Sequence, residues 1–453
     1  MTHVIKLSTT TIITLSLSSA ALAHTLPPVN VNAKKIDPLT FAKDTIFYKD
    51  IEARQESTLS QVLSHSPAVQ FSHYGGIGAP SNLSLQGGNT NHTLVTLDGI
   101  SVEDPSTPNG AVNFANYAAN DFDVLSVQKG PLSSVLGAGS LSGALNLETL
   151  RGQGKPTHHL STVAGSYGTT RFMGESQGKV ERFSYHLSFS QLATQGICIK
   201  PERLRIVPRD YLTDKAAIFN IRGRFDVDLT ENLTVTWLPR YNDTHNEYNA
   251  YYSSPNSFRL GYTRVQQQVF RLTHDLFLKD WMGEQKLSYG FMHSYRRDGE
   301  AQMPFISMER NFGVSEQVNY ALTLGKDSYK ILTGVFYEKD KMATYMSGAI
   351  PNTLLKKTDY RHSIFLAPGV EKTLKGHCFA IKTAGRLDTH HGFGNHFSYA
   401  AGGIYETPLK TKFSIAYGTS FKAPTLYQRF ANNACKQCKI RGNLVICIKV
   451  ASP

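Results

Sequence analysis

The sequence predicts an all-β transmembrane barrel that follows a small mixed α/β domain. Three observations lead to this fold class. Apolar and polar residues alternate with a period of two after residue 150. The 453 residues include 22 Tyr, 24 Phe and 36 Gly, a composition typical of β structure. The N terminus has the features of an exported protein.

The alternation is clearest in four stretches, which are 182–190, 232–237, 286–295 and 412–418. In the first, Phe183 and Leu187 share one face and Ser184 and Ser188 the other, because successive side chains of a strand point to opposite faces. A soluble sandwich would bury the apolar face, whereas a membrane barrel would turn it to lipid around a polar interior. The exported N terminus and the long polar connections favour the barrel.

Residues 1–23 are predicted to be a secretory signal peptide. Lys6 supplies a positive charge, residues 9–23 are moderately apolar, and Ala21 and Ala23 form a small-x-small cleavage pattern. No later stretch reaches about 18 uninterrupted apolar residues, which argues against a helical membrane protein.

The net charge of +12 does not by itself indicate a nucleic-acid partner. The sequence has no zinc-finger spacing, helix-turn-helix pattern or RNA-binding aromatic motif, so the basic residues are expected on loops and polar faces. It also lacks G-x-S-x-G, H-E-x-x-H and phosphate-loop motifs. No catalytic residues are therefore predicted, and the protein is not expected to be an enzyme.

Cysteine and histidine patterns do not predict a metal site. Three of the five cysteines are Cys435, Cys438 and Cys447, and the C-x-x-C pair among them lacks a second pair of ligands. Neighbouring histidines at 158–159 and 390–391 would point to opposite faces of a strand. No role is assigned to these cysteines, and no cofactor is predicted.

Residues 38–150 are predicted to form the small mixed domain. Residues 58–70 have helix-like apolar spacing that stops before Pro67. Short strands are predicted at 83–87, 92–99, 123–130 and 143–149. Clustered glycines at positions 137, 139 and 143 predict close backbone packing between the last two strands.

Two segments of this domain resemble the plug domain of TonB-dependent outer-membrane receptors: 91–105 (NHTLVTLDGISVEDP) and 121–149 (DFDVLSVQKGPLSSVLGAGSLSGALNLET). The resemblance implies a plug inside a barrel of about 22 antiparallel strands, located in the bacterial outer membrane and in contact with its lipid. It also implies energy-coupled uptake of a scarce nutrient chelate, such as a ferric siderophore, haem or cobalamin. Gln86 and Lys129 stand where the family usually has arginine, so one plug–barrel contact is expected to differ.

Residues 24–37 resemble the segment in which this family carries its TonB box. The residues expected to bind TonB, which an inner-membrane complex energises, are Leu26, Pro27, Pro28, Val29, Asn30 and Val31. An extended, unpaired segment can add a strand to the edge of a partner's sheet. The alternation of Val29 and Val31 would give that strand one apolar side.

The resemblance also implies a ligand site between the plug apices and the extracellular loops. By position, one apex comprises Tyr74, Gly75, Gly76, Ile77 and Gly78, and the other runs from Asp104 to Asn109. Tyr74 would offer a flat contact face and a hydroxyl group. The alternative is that both segments are ordinary turns.

Residues 151–430 are expected to form only part of the family's barrel. At about 10 residues per strand and connections of similar length, they would supply roughly 14 strands. The sequence then departs from the family in residues 431–453, a basic tail that contains three cysteines. These features predict a truncated receptor. The alternative function is a non-functional receptor fragment, or a surface binding protein without transport.

Overall fold

Short strands and short helices alternate in the first part of the computed structural model, and long strands follow. The model describes residues 43–54, 56, 58–73, 76–107, 109–117, 122–198, 213–249, 258–278, 281–302, 305–326, 328–347, 353–430, 438–441 and 444–447. These residues belong to one unit that begins at Pro38. The predicted signal peptide and TonB-box segment lie outside the described residues.

The first part of the described chain is the plug. Its elements, in chain order, are β1 (Lys43–Phe47), α1 (Tyr48–Arg54), α2 (Leu59–Ser64), β2 (Val69–His73), β3 (Ser81–Leu85), β4 (Thr93–Leu97), β5 (Ile100–Ser101), a 3₁₀ turn (Phe114–Asn116), β6 (Val124–Lys129), α3 (Ser133–Leu136) and β7 (Gly143–Glu148). The predicted helix and the four predicted short strands are confirmed, with ends that shift by one or two residues at most strands. The sequence did not predict β1, β2 or α1.

Among the described residues, five plug strands form one mixed sheet in the order β1-β6-β7-β4-β5, which we call the plug sheet. Strands β4 and β7 run parallel, and β6 and β7 run antiparallel. The side chains of Leu97, Leu125 and Leu147 on this sheet are buried against Leu59 and Phe114 from the helices. Burial of this apolar surface is the main source of the plug's stability.

Helix α2 begins and ends where the sequence predicts. The Thr58 hydroxyl accepts a hydrogen bond from the Gln61 N–H, and the Gln61 side chain accepts one from the Thr58 N–H, so two helix-end donors are satisfied. Its buried face contains Leu59, Val62 and Leu63. The helix stops before Pro67, as expected for a residue that cannot continue a helix.

The glycine cluster has the backbone geometry that the sequence predicts. Gly137, Gly139 and Gly143 all have positive φ angles, of +100°, +97° and +150°. A Cβ atom at Gly143 would overlap the carbonyl oxygen of Gln128 and the side chain of Leu85. Strand β7 can therefore approach β6 this closely only with glycine at this position.

The second part of the described chain forms long antiparallel strands. They are β8 (Thr157–Gly165), β9 (Thr169–Val180), β10 (Phe183–Thr194), β11 (Ala216–Asp228), β12 (Leu233–Asn249), β13 (Phe258–Leu278), β14 (Trp281–Gln302), β15 (Phe305–Lys326), β16 (Tyr329–Ser347), β17 (Thr353–Leu374), β18 (His377–His390), β19 (Gly394–Glu406) and β20 (Lys412–Gly418). Within the described chain these thirteen strands pair in sequence order into one sheet, which we call the wall sheet. This number is close to the roughly 14 strands expected from length.

The two faces of the wall sheet differ in the way that decides between a sandwich and a barrel. On β10, Phe183 and Leu187 are 41% and 42% exposed, whereas Ser184 and His186 are buried on the face toward the plug. The apolar face is thus turned outward and the polar face encloses the plug. This is the arrangement of a membrane barrel and not of a soluble sandwich.

Three smaller features complete the described chain. Helix α4 (Leu426–Phe430) follows β20, and the strands β21 (Cys438–Arg441) and β22 (Leu444–Cys447) pair with each other as a hairpin in the C-terminal tail. Where the chain is described, none of its helices has the length and hydropathy required to cross a bilayer. Cys378 is a free thiol.

Candidate ligand site and plug anchor

The connections between wall strands alternate between two ends of the sheet. We call the end with the tight connections 181–182, 327–328 and 375–376 the turn end, and the opposite end, which carries the connection 195–215, the loop end. Outer-membrane barrels have short turns on the periplasmic side and longer loops outside the cell. The loop end is therefore where a ligand site is expected.

Both predicted plug apices lie toward the loop end, against different strands. The carbonyl oxygen of Gly78 accepts a hydrogen bond from the Asn246 amide at 2.8 Å. Gly78 has a φ of +88°, and a Cβ atom there would overlap the Ala216 side chain at the start of β11. Gly76 has open space around it, and Ile77 is half-buried. This apex is thus fixed to the wall at Gly78 and freer at Gly76.

The other predicted apex is a turn stabilised by its own side chains. The Asp104 carboxylate accepts hydrogen bonds from the Ser106 N–H at 2.9 Å and the Ser106 hydroxyl at 2.6 Å. The Asn109 amide donates to the Thr90 hydroxyl at 3.2 Å, which joins this apex to the loop before β4. Asp104 and Asn109 therefore shape the turn, as short polar side chains commonly do.

Beside Asp104 the plug and the wall enclose a cavity rich in charged groups. Its lining includes Glu103 and Asp104 from the plug, and Glu338, Asp359 and His390 from the wall. The segment after β20 closes one side through Lys422, whose ammonium group lies 2.5 Å from the Glu103 carboxylate. The lining thus contains acidic and basic side chains, and the acidic ones are more numerous.

Two further ion pairs form the wall side of this cavity. Arg361 pairs with Glu338, and Arg429 of helix α4 pairs with Asp359. The His390 ring lies 3.2 Å from the same Asp359 carboxylate. Three carboxylates that line the cavity, those of Glu103, Glu338 and Asp359, thus already have cationic partners, which an incoming charged ligand could exchange.

The cavity is too small to enclose a complete chelate. Its volume is about 60 Å³, whereas sites that enclose small ligands measure roughly 300–1,000 Å³. A chelate would have to sit at the mouth of the cavity, or to separate the Glu103–Lys422 pair in order to enter.

Apart from Asp104 and its neighbour Pro105, the residues that line the cavity were not predicted from the sequence. Glu103 and Lys422 are 319 residues apart in the chain, so no local spacing connects them. The only local signal is that Glu103 immediately precedes the predicted apex at Asp104. Conversely, Tyr74 and Gly75 lie outside the described residues, as do the six residues expected to bind TonB. The described side chains include no group of three His, Cys, Asp or Glu residues arranged to hold a metal ion.

A second polar cluster fastens the plug to the wall near mid-strand, since Arg222 is the central residue of β11. We call it the plug anchor, and it consists of Asp123, Arg222, His186 and Glu175. The Arg222 guanidinium donates to both oxygens of the Asp123 carboxylate, at 3.1 and 3.3 Å, and to Ser188 at 2.6 Å. Arg222 and Asp123 are 5% and 4% exposed. A buried pair of this kind is strongly destabilised when one partner is removed.

Within the plug anchor, His186 contacts groups on either side of its own strand. Its two ring nitrogens face oxygen acceptors, the Glu175 carboxylate at 2.9 Å and the carbonyl oxygen of Leu150 at 3.2 Å. The Asp123 carboxylate lies 3.5 Å from the same ring. His186 thus links the plug anchor both to Glu175 on β9 and to the backbone of the segment after β7.

Several wall arginines donate hydrogen bonds to backbone carbonyl groups of the plug domain and of the residue that follows β7. Arg224 donates to the Thr149 carbonyl at 2.7 Å, Arg386 donates to the Val135 carbonyl at 3.2 Å, and Arg271 donates to the carbonyl of Asp98. Gln86 is exposed, and Lys129 pairs with Asp44 inside the plug at 2.7 Å. The difference in plug–barrel contact that Gln86 was expected to cause stays a prediction.

Two plug carboxyl groups have shifted pKa values. A hydrogen bond from Lys129 holds the pKa of Asp44 below its usual range. Burial raises the pKa of Asp98, although its carboxylate accepts hydrogen bonds from Thr149. Asp98 is therefore part of the packed interior of the plug, whereas Asp44 is a charged group at its edge.

Comparison with known proteins identifies the first part of the chain. Residues 36–144 match the family model of the TonB-dependent receptor plug domain. The chain carries the plug domain of a TonB-dependent receptor. The fold of the chain as a whole, wall sheet included, is similar to that of solved receptors.

Three solved structures illustrate this similarity of fold. The siderophore receptor PirA from Acinetobacter baumannii aligns with a TM-score of 0.66 at 14% identity over 85% of this chain and 62% of its own. The copper transporter OprC aligns with a TM-score of 0.68 at 12% identity, over 83% of this chain and 62% of its own. A variant of the ferric enterobactin receptor PfeA from Pseudomonas aeruginosa aligns with a TM-score of 0.65 at 16% identity, over 85% of this chain and 62% of its own. This chain thus spans less than two thirds of the length that these receptors cover.

Proposed function

We propose that this protein is a TonB-dependent receptor of the bacterial outer membrane that takes up a scarce nutrient chelate of the ferric siderophore, haem or cobalamin class. The observation that carries the proposal is the plug held inside a sheet whose outer face is apolar. Such a plug blocks a pore until it is rearranged, so uptake requires a partner that supplies energy.

The loop-end cavity is the proposed binding region for the chelate. Glu103 belongs to the plug and Lys422 to the wall side, so a ligand that separates them changes the contact between the two parts. A ligand can shift such an equilibrium only through its different affinity for the two arrangements. We propose that the ligand acts in this way and makes the plug available for TonB.

The TonB contact is proposed for Leu26 to Val31, where Val29 would pair through its backbone with a strand of TonB. The test is growth on a single iron or cobalamin source by strains that carry the native gene, no gene, or the Val29→Pro variant. Proline removes the backbone N–H, so Val29→Pro should abolish growth as completely as deletion of the gene.

Val29→Thr is the matched control, because threonine has a similar shape and keeps the N–H; this variant should grow like the native strain. Native growth by the Val29→Pro strain on every source that requires the gene would contradict the TonB contact. Loss of the gene without effect on any source would contradict the uptake function.

The second candidate is a surface binding protein, or an inert fragment, without transport. In the described part of the sheet, β8 and β20 each pair along one side only, and an unpaired edge is unfavourable in lipid. Gel mobility of outer-membrane fractions distinguishes these cases. A closed barrel migrates faster before boiling than after it, whereas an unclosed chain should show the same mobility in both lanes or be absent from the membrane.

A further inference from the structure

The loop-end cavity contains more carboxylates than lysine and arginine side chains. Its basic lining residues of these two types are Arg361 and Lys422, and its acidic lining residues are Glu103, Asp104, Glu338, Asp340 and Asp359. Asp104 and Asp340 take part in none of the ion pairs that the described residues form. The cavity therefore has an excess of negative charge.

One of its cations comes from a segment without regular secondary structure. Lys422 lies in residues 419–425, between β20 and α4, which we call the strap. Its ammonium group lies 2.5 Å from the Glu103 carboxylate. The lysine side chain is a compact charge on a flexible four-carbon stem, so it can leave the carboxylate without movement of the wall strands. The chain thus places an ammonium group of its own in the cavity.

The strap is also attached to the plug beside Lys422. The Gly139 N–H donates a hydrogen bond to the Phe421 carbonyl at 3.0 Å. The Ser420 hydroxyl donates one to the Ser140 carbonyl at 3.2 Å. The contact between Lys422 and Glu103 therefore holds the strap next to this part of the plug backbone.

Exchange of ion-pair partners in this cavity favours a cationic ligand group. A cationic group that replaces Lys422 on Glu103 releases an ammonium group that can extend into water. An anionic group that bound Arg361 would instead leave the Glu338 carboxylate, which is 9% exposed, without its partner. A buried carboxylate without a partner is strongly unfavourable, and other carboxylates nearby add to the cost.

The size of the cavity points to one functional group and not to a whole chelate. Its volume of about 60 Å³ gives room for a few non-hydrogen atoms. An ammonium or guanidinium group with its first carbon atoms has this size. The metal-binding core of a chelate would then remain at the mouth of the cavity.

We propose that the loop-end cavity binds a cationic arm of the ligand, an ammonium or guanidinium group that the chelate carries outside its metal-binding core. The arm replaces Lys422 on the Glu103 carboxylate, and the strap then detaches from the plug at Gly139. Identification of the rest of the ligand as a chelate rests on the proposed function. Binding of the cationic group rests on the charge and the size of the cavity.

The test measures hydrogen exchange of the Gly139 amide in the purified full chain in neutral detergent, by mass spectrometry of the peptide that contains it. The probe is n-butylammonium chloride, and sodium butyrate at the same concentration and pH is the control. The ammonium salt should speed exchange by at least about threefold, because it removes the contact that keeps the strap on this amide. The butyrate salt should leave the rate unchanged.

The two salts have the same ionic strength and therefore screen ion pairs equally. Equal acceleration by both salts would overturn the proposal, because screening alone would then explain it. A rate that n-butylammonium leaves unchanged would overturn it as well. Both measurements use the native chain and do not depend on the folding of any variant.

Glu103→Gln locates the effect, because it removes the negative charge and keeps the shape of the side chain. Gly139 exchange in this variant should be fast without any added salt, and n-butylammonium should not increase it further. Glu231→Gln is the matched control, since Glu231 is exposed in the connection 229–232 at the turn end; it should respond like the native chain. A native response to n-butylammonium in Glu103→Gln would overturn the proposal.

A pair of chelates tests the arm itself. The probes are a ferric trihydroxamate with one terminal ammonium arm and the same chelate with that arm acetylated, which removes the charge. The ammonium form should speed Gly139 exchange and the acetylated form should not, and equal effects would overturn the assignment of the arm. TonB takes no part in these measurements, and the butylammonium test uses no chelate, so it can fail separately from the growth test of the proposed function.

Discussion

The plug meets the wall in two different ways, near the middle of the wall strands and at the loop end. In the plug anchor, Asp123 is almost fully buried and receives two hydrogen bonds from Arg222. At the loop end, Glu103 is 23% exposed and meets the single ammonium group of Lys422. The first contact is a buried, bidentate ion pair whose geometry is fixed by the planar guanidinium group. The second is a partly exposed ion pair made by one ammonium group.

The two contacts therefore differ in the free energy that is needed to break them. Removing one partner of a buried pair costs about 3–5 kcal/mol, because the remaining charge has no partner and no water. A partly exposed pair contributes at most about 1 kcal/mol. A ligand with modest binding energy can thus open the loop-end contact, whereas the plug anchor requires a larger input such as mechanical pulling.

Arg222→Ala is expected to have the largest effect. It leaves the buried Asp123 carboxylate without its guanidinium partner, so the free energy of unfolding should fall by about 3–5 kcal/mol. Guanidinium-induced unfolding in detergent measures this loss, and faster protease cleavage of the plug should accompany it.

Arg182→Ala is the matched control, since Arg182 is an exposed arginine at the turn end. Arg182→Ala should change the free energy of unfolding by no more than about 0.5 kcal/mol. Similar losses for the two variants would remove the contrast between the plug anchor and the rest of the charged surface.

Gly78→Ala is expected to have an intermediate effect on the free energy of unfolding. It tests whether the whole loop end of the plug is weakly attached to the wall. A methyl group at Gly78 would overlap Ala216, and the φ of +88° is strained for alanine. We expect a loss of about 1–3 kcal/mol in the free energy of unfolding, as for other overpacked positions. Gly76→Ala should be nearly neutral, because open space surrounds that position. Equal effects would mean that this apex is not fixed to the wall at Gly78.

The smallest expected effect concerns pH and Asp44. The folded state lowers the pKa of Asp44 through Lys129, so this contact stabilises the plug above the unfolded pKa of about 3.9. The stabilisation is lost as pH falls through the folded value. Because a third of the Asp44 side chain is exposed, solvent screens the contact and its contribution is modest.

Unfolding of native and Asp44→Asn protein between pH 7 and pH 3 measures this contribution. The native protein should be slightly more stable at pH 7, and the difference should shrink toward pH 3. A difference that stays constant across this range would show that Asp44 acts through something other than its charge.

Several parts of the fold could be predicted from local patterns. The spacing of Leu59, Val62 and Leu63 before Pro67 indicated helix α2, and alternation along β10 indicated a strand with unlike faces. Glycines 137, 139 and 143 indicated tight turns. Strand β1 was missed, since it joins the plug sheet only by pairing with β6, about 80 residues later in the sequence.

The candidate site was predicted less completely. Position in the family pattern indicated the apices at 74–78 and 104–109, and the described residues of both lie toward the loop end. Lys422, Asp359 and His390 reach the cavity only because wall strands far apart in the chain surround the plug. No spacing in the sequence reports such a contact.

The sequence by itself determined that a plug of short strands and helices is followed by a sheet of long strands with alternating apolar and polar residues. It could do so because side-chain periodicity is set by local backbone geometry. Tertiary structure alone decided which groups neutralise each other: Arg222 with Asp123, Lys422 with Glu103, Arg264 with Asp243. Charge pairing depends on distance and burial in space, and these are fixed only when the sheet has enclosed the plug.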